Sequence, residues 1–245
     1  MEQKLNIVGE EIKDGVSIFC AAMNREKNLL ESLESWLANK LLDEVVIVDW
    51  SSDNPLTIEH EKVKIIRVEE EPRWVLTLAF NLAAQFTTRS NICKADCDYI
   101  LSDTFLNKYK PNENSFFAGN YKLARNENEK FLNGLAFFTR DAFFSINGYS
   151  ENILTYGYDD SDLYKRLELN LIRRLDIDPD DAKHIEHSNK ARGLSENFWD
   201  APFSGFDKNI EISKNMFWCN ESKSSQYHIL KNDQRSYTCK RILKQ

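Results

Sequence analysis

The run Asn91-Ile-Cys-Lys-Ala-Asp-Cys-Asp98, followed by Tyr99-Ile-Leu101, sets the frame for everything else in the chain. A short apolar strand (Asn91-Ile92-Cys93) gives out at Lys94, and two carboxylates one residue apart follow it. In extended backbone, residues i and i+2 point the same way, so Asp96 and Asp98 can offer oxygens to one point, as a hard divalent cation requires. At the carboxyl end of a strand in an α/β sheet they would occupy the edge where such folds bind ligands. The same triplet is also what a solvated turn looks like, so its neighbours have to decide.

Upstream, Val16–Ala22 and Glu44–Asp49 read as buried strands, and Val63–Val68 as a third. Between the first two, Asn24 is expected to cap a helix with Leu29, Leu30, Leu33, Trp36 and Leu37 on one face. Asp53-Asn54-Pro55 is expected to open a short helix, since Pro is tolerated at a first helical position. Trp74–Phe86 carries Val75, Leu78, Ala79, Leu82, Ala83 and Phe86 at helical spacing. Strand–helix alternation through the first hundred residues predicts an α/β domain with a mostly parallel, Rossmann-like sheet flanked by helices. No G-x-G-x-x-G and no G-x-x-x-x-G-K-[ST] follows any of these strands. A bound diphosphate would therefore need a metal and cationic side chains.

The second half has a different texture. Phe116–Leu123 and Asn133–Thr139 are strand-like, Arg140–Ile146 is a short helix closed by the turn Asn147-Gly148-Tyr149, and Asp159–Leu171 is a helix. Asp176–His187 reads as one or two short strands broken at Pro179, and the last forty residues as partly helical. Ser188–Asp207, polar with interspersed aromatics including Trp199, reads as a mobile or partner-facing segment able to close over a ligand. We divide the chain into a nucleotide-sugar-binding half (about 1–102), an acceptor and catalytic half (about 103–190) with a smaller antiparallel and helical part, and a partly helical extension (191–245).

Composition narrows the classes. The chain has 245 residues, 42% of them hydrophobic and 29% charged, and a net charge of −7 with no long basic stretch. This fits an ordinary globular chain and argues against nucleic acid as a partner. Five cysteines without a C-x-x-C pair read as buried thiols rather than a disulfide framework. No amino-terminal signal segment and no apolar run long enough to span a membrane is visible, which gives the expectation of a cytoplasmic chain, peripheral to a membrane or part of a longer one.

Two further clusters carry chemistry. Tyr156-Gly-Tyr-Asp-Asp-Ser-Asp-Leu163 places three acids at a helix amino terminus. Acids there complement the helix dipole. One would suffice for that, and acids beside aromatic rings also suit a sugar, with a carboxylate able to take a proton from an attacking hydroxyl. His184 and His187 follow an acidic approach. They are surface residues on one reading, and partners of Asp98 in a mixed oxygen/nitrogen metal site on the other, which favours manganese over calcium.

Taken together, these residues resemble glycosyltransferases of the GT-A fold, in the large family 2 group. The strand-Asn24-Arg25-helix, Val48-Asp-Trp-Ser-Ser-Asp53 and Lys94-Ala-Asp-Cys-Asp98 look like that family's donor-binding half. Asn147-Gly-Tyr149 with Tyr156–Leu163 is similar to the carboxyl-terminal motif of β-1,4-galactosyltransferases and polymerising N-acetylgalactosaminyltransferases, and His187-Ser188 matches their metal-coordinating histidine.

The resemblance implies a metal-dependent, inverting hexosyltransferase of glycan biosynthesis, moving galactose or an N-acetylhexosamine from a UDP-sugar to a glycan or glycoconjugate acceptor. Glucose, N-acetylglucosamine or rhamnose donors are the alternatives. It implies Asp160 as base; Ala22, Arg25, Asp49 and Ser51 around the nucleotide; Asp96 towards ribose or metal waters; and Lys94 paired with Asp49 or a phosphate. Asp98 and His187 would hold Mn2+ (or Mg2+), and Tyr158, Asp159 and Trp199 would meet the acceptor. Trp50-Ser51 stands where the family often has an acid and a glycine. A nucleotidyltransferase and a non-catalytic carbohydrate-binding module are the rival classes.

Overall fold

The computed structural model describes residues 4–187, 204–215, 225–231, 233 and 235–242. The chain begins with β1 (Lys13–Ala22), α1 (Glu26–Leu37), β2 (Glu44–Trp50), β3 (Val63–Glu69), α2 (Leu76–Gln85) and β4 (Arg89–Lys94). It continues through β5 (Tyr99–Leu101), α3 (Phe105–Lys108), β6 (Ser115–Ala118), β7 (Ala136–Thr139), α4 (Arg140–Ser145), α5 (Asp159–Leu169), β8 (Arg173–Asp176) and β9 (Ala182–His184). It closes with α6 (Ser204–Asn215), β10 (Gln226–Lys231) and β11 (Ser236–Ile242).

One sheet runs in the order β10-β11-β3-β2-β1-β4-β7-β6-β8, and β5 pairs with β9 in a second, two-stranded one. From β11 to β4 all neighbours are parallel, whereas β7 is antiparallel to both β4 and β6. This is the expected mostly parallel sheet flanked by helices. Alternation along the strands feeds two cores. Phe19, Ala21, Val46, Val48 and Ile92 face α2, α4 and α5, while Ile18, Cys20, Val45, Ile47 and Cys93 face α1 and β5. A period of two on strands buried on both faces produces this division.

The parallel register brings the carboxyl ends of β1, β2 and β4 to one edge, with Ala22 opposite Asp49 and Phe19 opposite Lys94. Because β7 runs the other way from β4, Ala136 pairs with Lys94 and the segment entering β7 lies at that edge too. The antiparallel pairing of β5 with β9 sets His184 opposite Tyr99, directly after Asp98.

Two local expectations are corrected. Asn24 does not cap α1: its backbone is left-handed (φ 57°) and its side chain instead accepts from the Asp53 amide at 2.8 Å, fastening the β1–α1 loop to the loop after β2. No helix starts at Asp53-Asn54-Pro55, because Asp49 takes the amides of Ser52 and Leu56 at 3.1 and 3.0 Å and holds the segment open. Among the described residues of the last forty, α6 is helical, and β10 and β11 form a hairpin that extends the main sheet, with β11 parallel to β3.

The second half is locked by Arg166, which is buried. Its guanidinium donates to Asp162 at 2.7 Å and to the carbonyls of Ile146 and Gly148 at 2.9 and 2.7 Å. Removing one partner of a buried charge pair strands the other. Arg166→Met is therefore expected to cost roughly 3–5 kcal/mol in denaturant unfolding, and adding Asp162→Asn to recover part of that loss. An Arg166→Met variant as stable as the wild type would refute this.

Candidate active site

Four segments meet at the sheet edge: the end of β4, the amino terminus of α5, the entry to β7, and the residues after β9. Lys94 lies at their centre and is entirely buried, with its ammonium 2.7 Å from Asp96, 3.5 Å from Asp160 and 4.6 Å from the centre of the Phe80 ring. Burial alone would drive this amine towards neutrality, but the charges of Asp160 and Asp96 outweigh it and raise its pKa above the usual lysine value. Close approach depends on Gly134, where a Cβ would fall 2.8–2.9 Å from the Tyr99 hydroxyl, Asp96 and the Lys94 ammonium. Nothing local marks Gly134, a single glycine inside the strand-like run Asn133–Thr139.

Asp160 stands in the first turn of α5, and its Oδ1 accepts from the Tyr149 hydroxyl at 2.7 Å. Tyr149 is held in turn by Asn81 of α2, which accepts from its amide at 2.8 Å and donates to its carbonyl at 2.9 Å. Asp159 is buried beside it, and burial, reinforced by the Asp160 charge, pushes its carboxyl up to about 7. The third acid of the cluster, Asp162, turns away to Arg166. Tyr158 precedes the helix in a left-handed conformation (φ 66°) after Gly157 (φ 97°). Trp199 lies outside the described residues, as does most of Ser188–Asp207.

On the other side of Lys94, donors converge on one oxygen of Asp98. His187 Nε2 is 2.7 Å away, the Arg25 guanidinium 2.9 Å and His184 Nε2 3.8 Å. Burial works against the Asp98 carboxylate, but the His187 hydrogen bond, with the charges of His184 and Arg25, holds its pKa below the usual range. Asp98, His184 and His187 each offer a ligand atom, all within 4.8 Å of one another. Ligands about 2.1 Å from one ion lie about 3 to 4 Å apart, so this group is a candidate cation site that small side-chain adjustments would complete, and one carboxylate with two imidazoles suits manganese or a similar metal. His184 joins Asp98 and His187 in this group.

Asp49, Ser51 and Arg25, expected around the nucleotide, have side-chain partners within the protein. Asp49 is 1% exposed, and besides its two loop amides it binds Arg67 at 2.7 Å, so its carboxylate organises the loop. Lys94 pairs with Asp96 and Asp160 rather than with Asp49. Ser51 accepts from the Glu71 amide and donates to the Val68 carbonyl, both at 2.9 Å. Ala22 is buried at the end of β1, and Arg25 turns to Asp98.

Residues 114–188 match a family model described as the N-terminal domain of galactosyltransferase. The chain is similar, at 17% identity over 95% of each chain with a TM-score of 0.62, to the catalytic domain of Drosophila beta1,4-galactosyltransferase 7 in complex with xylobiose. It is similar at 16% identity, with the same coverage and a TM-score of 0.63, to a mutant of that enzyme in complex with manganese, UDP-Gal and xylobiose. The chain has the GT-A fold. A mannosyltransferase from Pyrobaculum calidifontis, in complex with GDP-Man and Mn2+, aligns more narrowly, at 16% identity and a TM-score of 0.51 over 67% of this chain and 55% of that one. No curated protein sequence matches the chain. No helix among the described residues is long and apolar enough to cross a membrane.

Asp159 yields a pH test. A carboxyl whose folded pKa is raised to about 7, from about 3.9 in an unfolded chain, holds its proton more tightly in the folded state. Its stabilising contribution is complete below the unfolded value and is lost as pH rises through the folded one. Asp159→Asn, which imitates the protonated form, is expected to melt higher than wild type at pH 8 and to lose that advantage near pH 4. A melting difference independent of pH would contradict the assignment.

Proposed function

We propose that this chain is a metal-dependent, inverting glycosyltransferase that moves a hexose or N-acetylhexosamine, galactose favoured, from a UDP-sugar to a sugar hydroxyl of a glycan acceptor. The carrying observation is the contact chain from Asp160 through Lys94 to Asp96, with Asp98, His184 and His187 adjoining it. That arrangement puts a candidate base and a candidate cation site on opposite sides of one buried charge. The manganese, UDP-Gal and xylobiose bound by the Drosophila enzyme support the choice of donor, metal and acceptor class.

On this reading Asp98, His184 and His187 hold the cation, which would neutralise charge developing on the departing nucleoside diphosphate. Asp160 accepts the proton of the acceptor hydroxyl. Tyr149 and Lys94 both lie at Oδ1, which leaves Oδ2 to face the acceptor. One carboxylate suffices because attack opposite the leaving group needs no covalent intermediate. Asp159, Tyr158 and Trp199 orient the acceptor. Asp96 faces the ribose or the waters of the metal, and Arg25, Ala22 and the loop that Asp49 and Ser51 organise border the nucleotide.

Calorimetric titration of UDP with and without Mn2+ is expected to give binding that depends on the metal and is lost in His187→Ala. Asp160→Asn is expected to keep metal-dependent UDP binding within a few-fold while transfer falls by roughly 10² to 10⁴. Retained turnover in that variant removes Asp160 from the base role. UDP binding indifferent to metal removes the site as a whole.

A further inference from the structure

The turn that delivers Tyr158 and Asp159 is held by a residue from a distant part of the chain. Asn209 of α6 is 1% exposed, and its carboxamide is devoted to this turn. Its Nδ2 donates to the carbonyls of Gly157, Thr155 and Tyr156 at 2.8, 3.2 and 3.4 Å, and its Oδ1 accepts from the Thr155 hydroxyl at 3.1 Å. One turn earlier on α6, Phe206 meets the Tyr158 ring edge-on at 6.0 Å, and a Cβ at Gly157 would come within 2.5 Å of it. At the far end of the helix, Lys165 of α5 donates to the Ser213 carbonyl at 2.6 Å.

The turn needs such support. Gly157 and Tyr158 are consecutive left-handed residues (φ 97° and 66°), and the second is a conformation that side-chain-bearing residues rarely adopt. A strained backbone of this kind persists only when its surroundings over-determine it. Asn209 supplies donors to three successive carbonyls, which no intrinsic propensity of Thr155-Tyr156-Gly157 would gather at one point.

We propose that Asn209 is a positioning residue for acceptor binding. By fixing the carbonyls of Thr155–Gly157 it sets the direction of Tyr158 and the start of α5, and so shapes the acceptor side without touching the donor side. This rests on the glycosyltransferase reading above.

Asn209→Asp keeps the shape but turns an acceptor towards three carbonyls. Hydrogen exchange of residues 155–160 is expected to accelerate at least tenfold, with β1–β4 unchanged. The acceptor KM is expected to rise at least tenfold, with the donor KM within twofold. Thr155→Val, a milder change on the same contact, is expected to move the acceptor KM twofold to fivefold in the same direction and decides the matter if Asn209→Asp does not fold. Unchanged exchange, or donor and acceptor KM rising together, overturns the proposal. Faster exchange in a protein whose wild type transfers no sugar from any UDP-hexose to any glycan overturns the glycosyltransferase reading and the acceptor role with it, while leaving the clamp itself established.

Discussion

A lysine ammonium buried between two carboxylates governs this site. Removing Lys94 from water is costly, and the structure offsets it with Asp96 at 2.7 Å, Asp160 at 3.5 Å and the face of Phe80. Those partners come from different places: Asp96 from the loop after β4, Asp160 from α5, and Phe80 from α2. Satisfying one buried charge therefore fixes the relative position of three elements. Gly134 is part of the same constraint, since any side chain there would enter the space the ammonium and Asp96 share. Because an unpaired charge in this position is so unfavourable, the two carboxylate motifs are held together by this one interaction.

Around that centre the chain uses neutral hydrogen bonds to aim charged groups. Asn81 brackets the backbone of Tyr149, and Tyr149 in turn fixes one oxygen of Asp160. Arg166 ties Asp162 to the Ile146 and Gly148 carbonyls, which sets the α4–α5 connection that carries Tyr149. Glu151, next in the same loop, accepts from the amide and hydroxyl of Ser225 at 2.6 and 2.8 Å, so the loop is also tied to the start of β10. The carboxyl-terminal hairpin thus supports the site from the opposite edge of the sheet.

Much of the architecture could be read from the residues because strands buried on both faces are near-continuous apolar runs. Val16–Ala22 and Glu44–Asp49 declare themselves, and the helical spacing of Leu29, Leu33 and Trp36 does the same for α1. The carboxylates of the site were also visible, because one pair closes a buried strand and three acids at one helix amino terminus exceed what the helix dipole asks for. What was hidden depends on long-range geometry. Asp49 and Asp162 have the composition of ligand-binding acids, yet each is turned inward to an arginine whose identity only the fold supplies, Arg67 and Arg166 respectively. The hairpin β10–β11 does not declare itself in the sequence, because β10 lies at the sheet edge, where exposed positions such as Leu230 blur the alternation of apolar and polar residues. Asn209 gave no signal at all, because a single asparagine on an amphipathic helix has no local pattern that reveals three distant carbonyls.

The charge balance around Lys94 is the physical argument for a cation at this site. Asp96, Asp98, Asp159 and Asp160 surround two positive side chains, Lys94 and Arg25. The surplus shows in the carboxyls themselves. Burial raises Asp96, with the charges of Asp98 and Asp160 adding to it and Lys94 opposing, and burial with Asp160 carries Asp159 up to about 7. Asp98 escapes this only because Arg25 and two histidines crowd onto one of its oxygens, doing for it what a metal would do. A divalent ion held by Asp98, His184 and His187 would relieve the same repulsion more completely and would free the Arg25 guanidinium from Asp98. The group then best placed to receive it is an anion arriving beside the metal, which is the charge pattern of a nucleoside diphosphate.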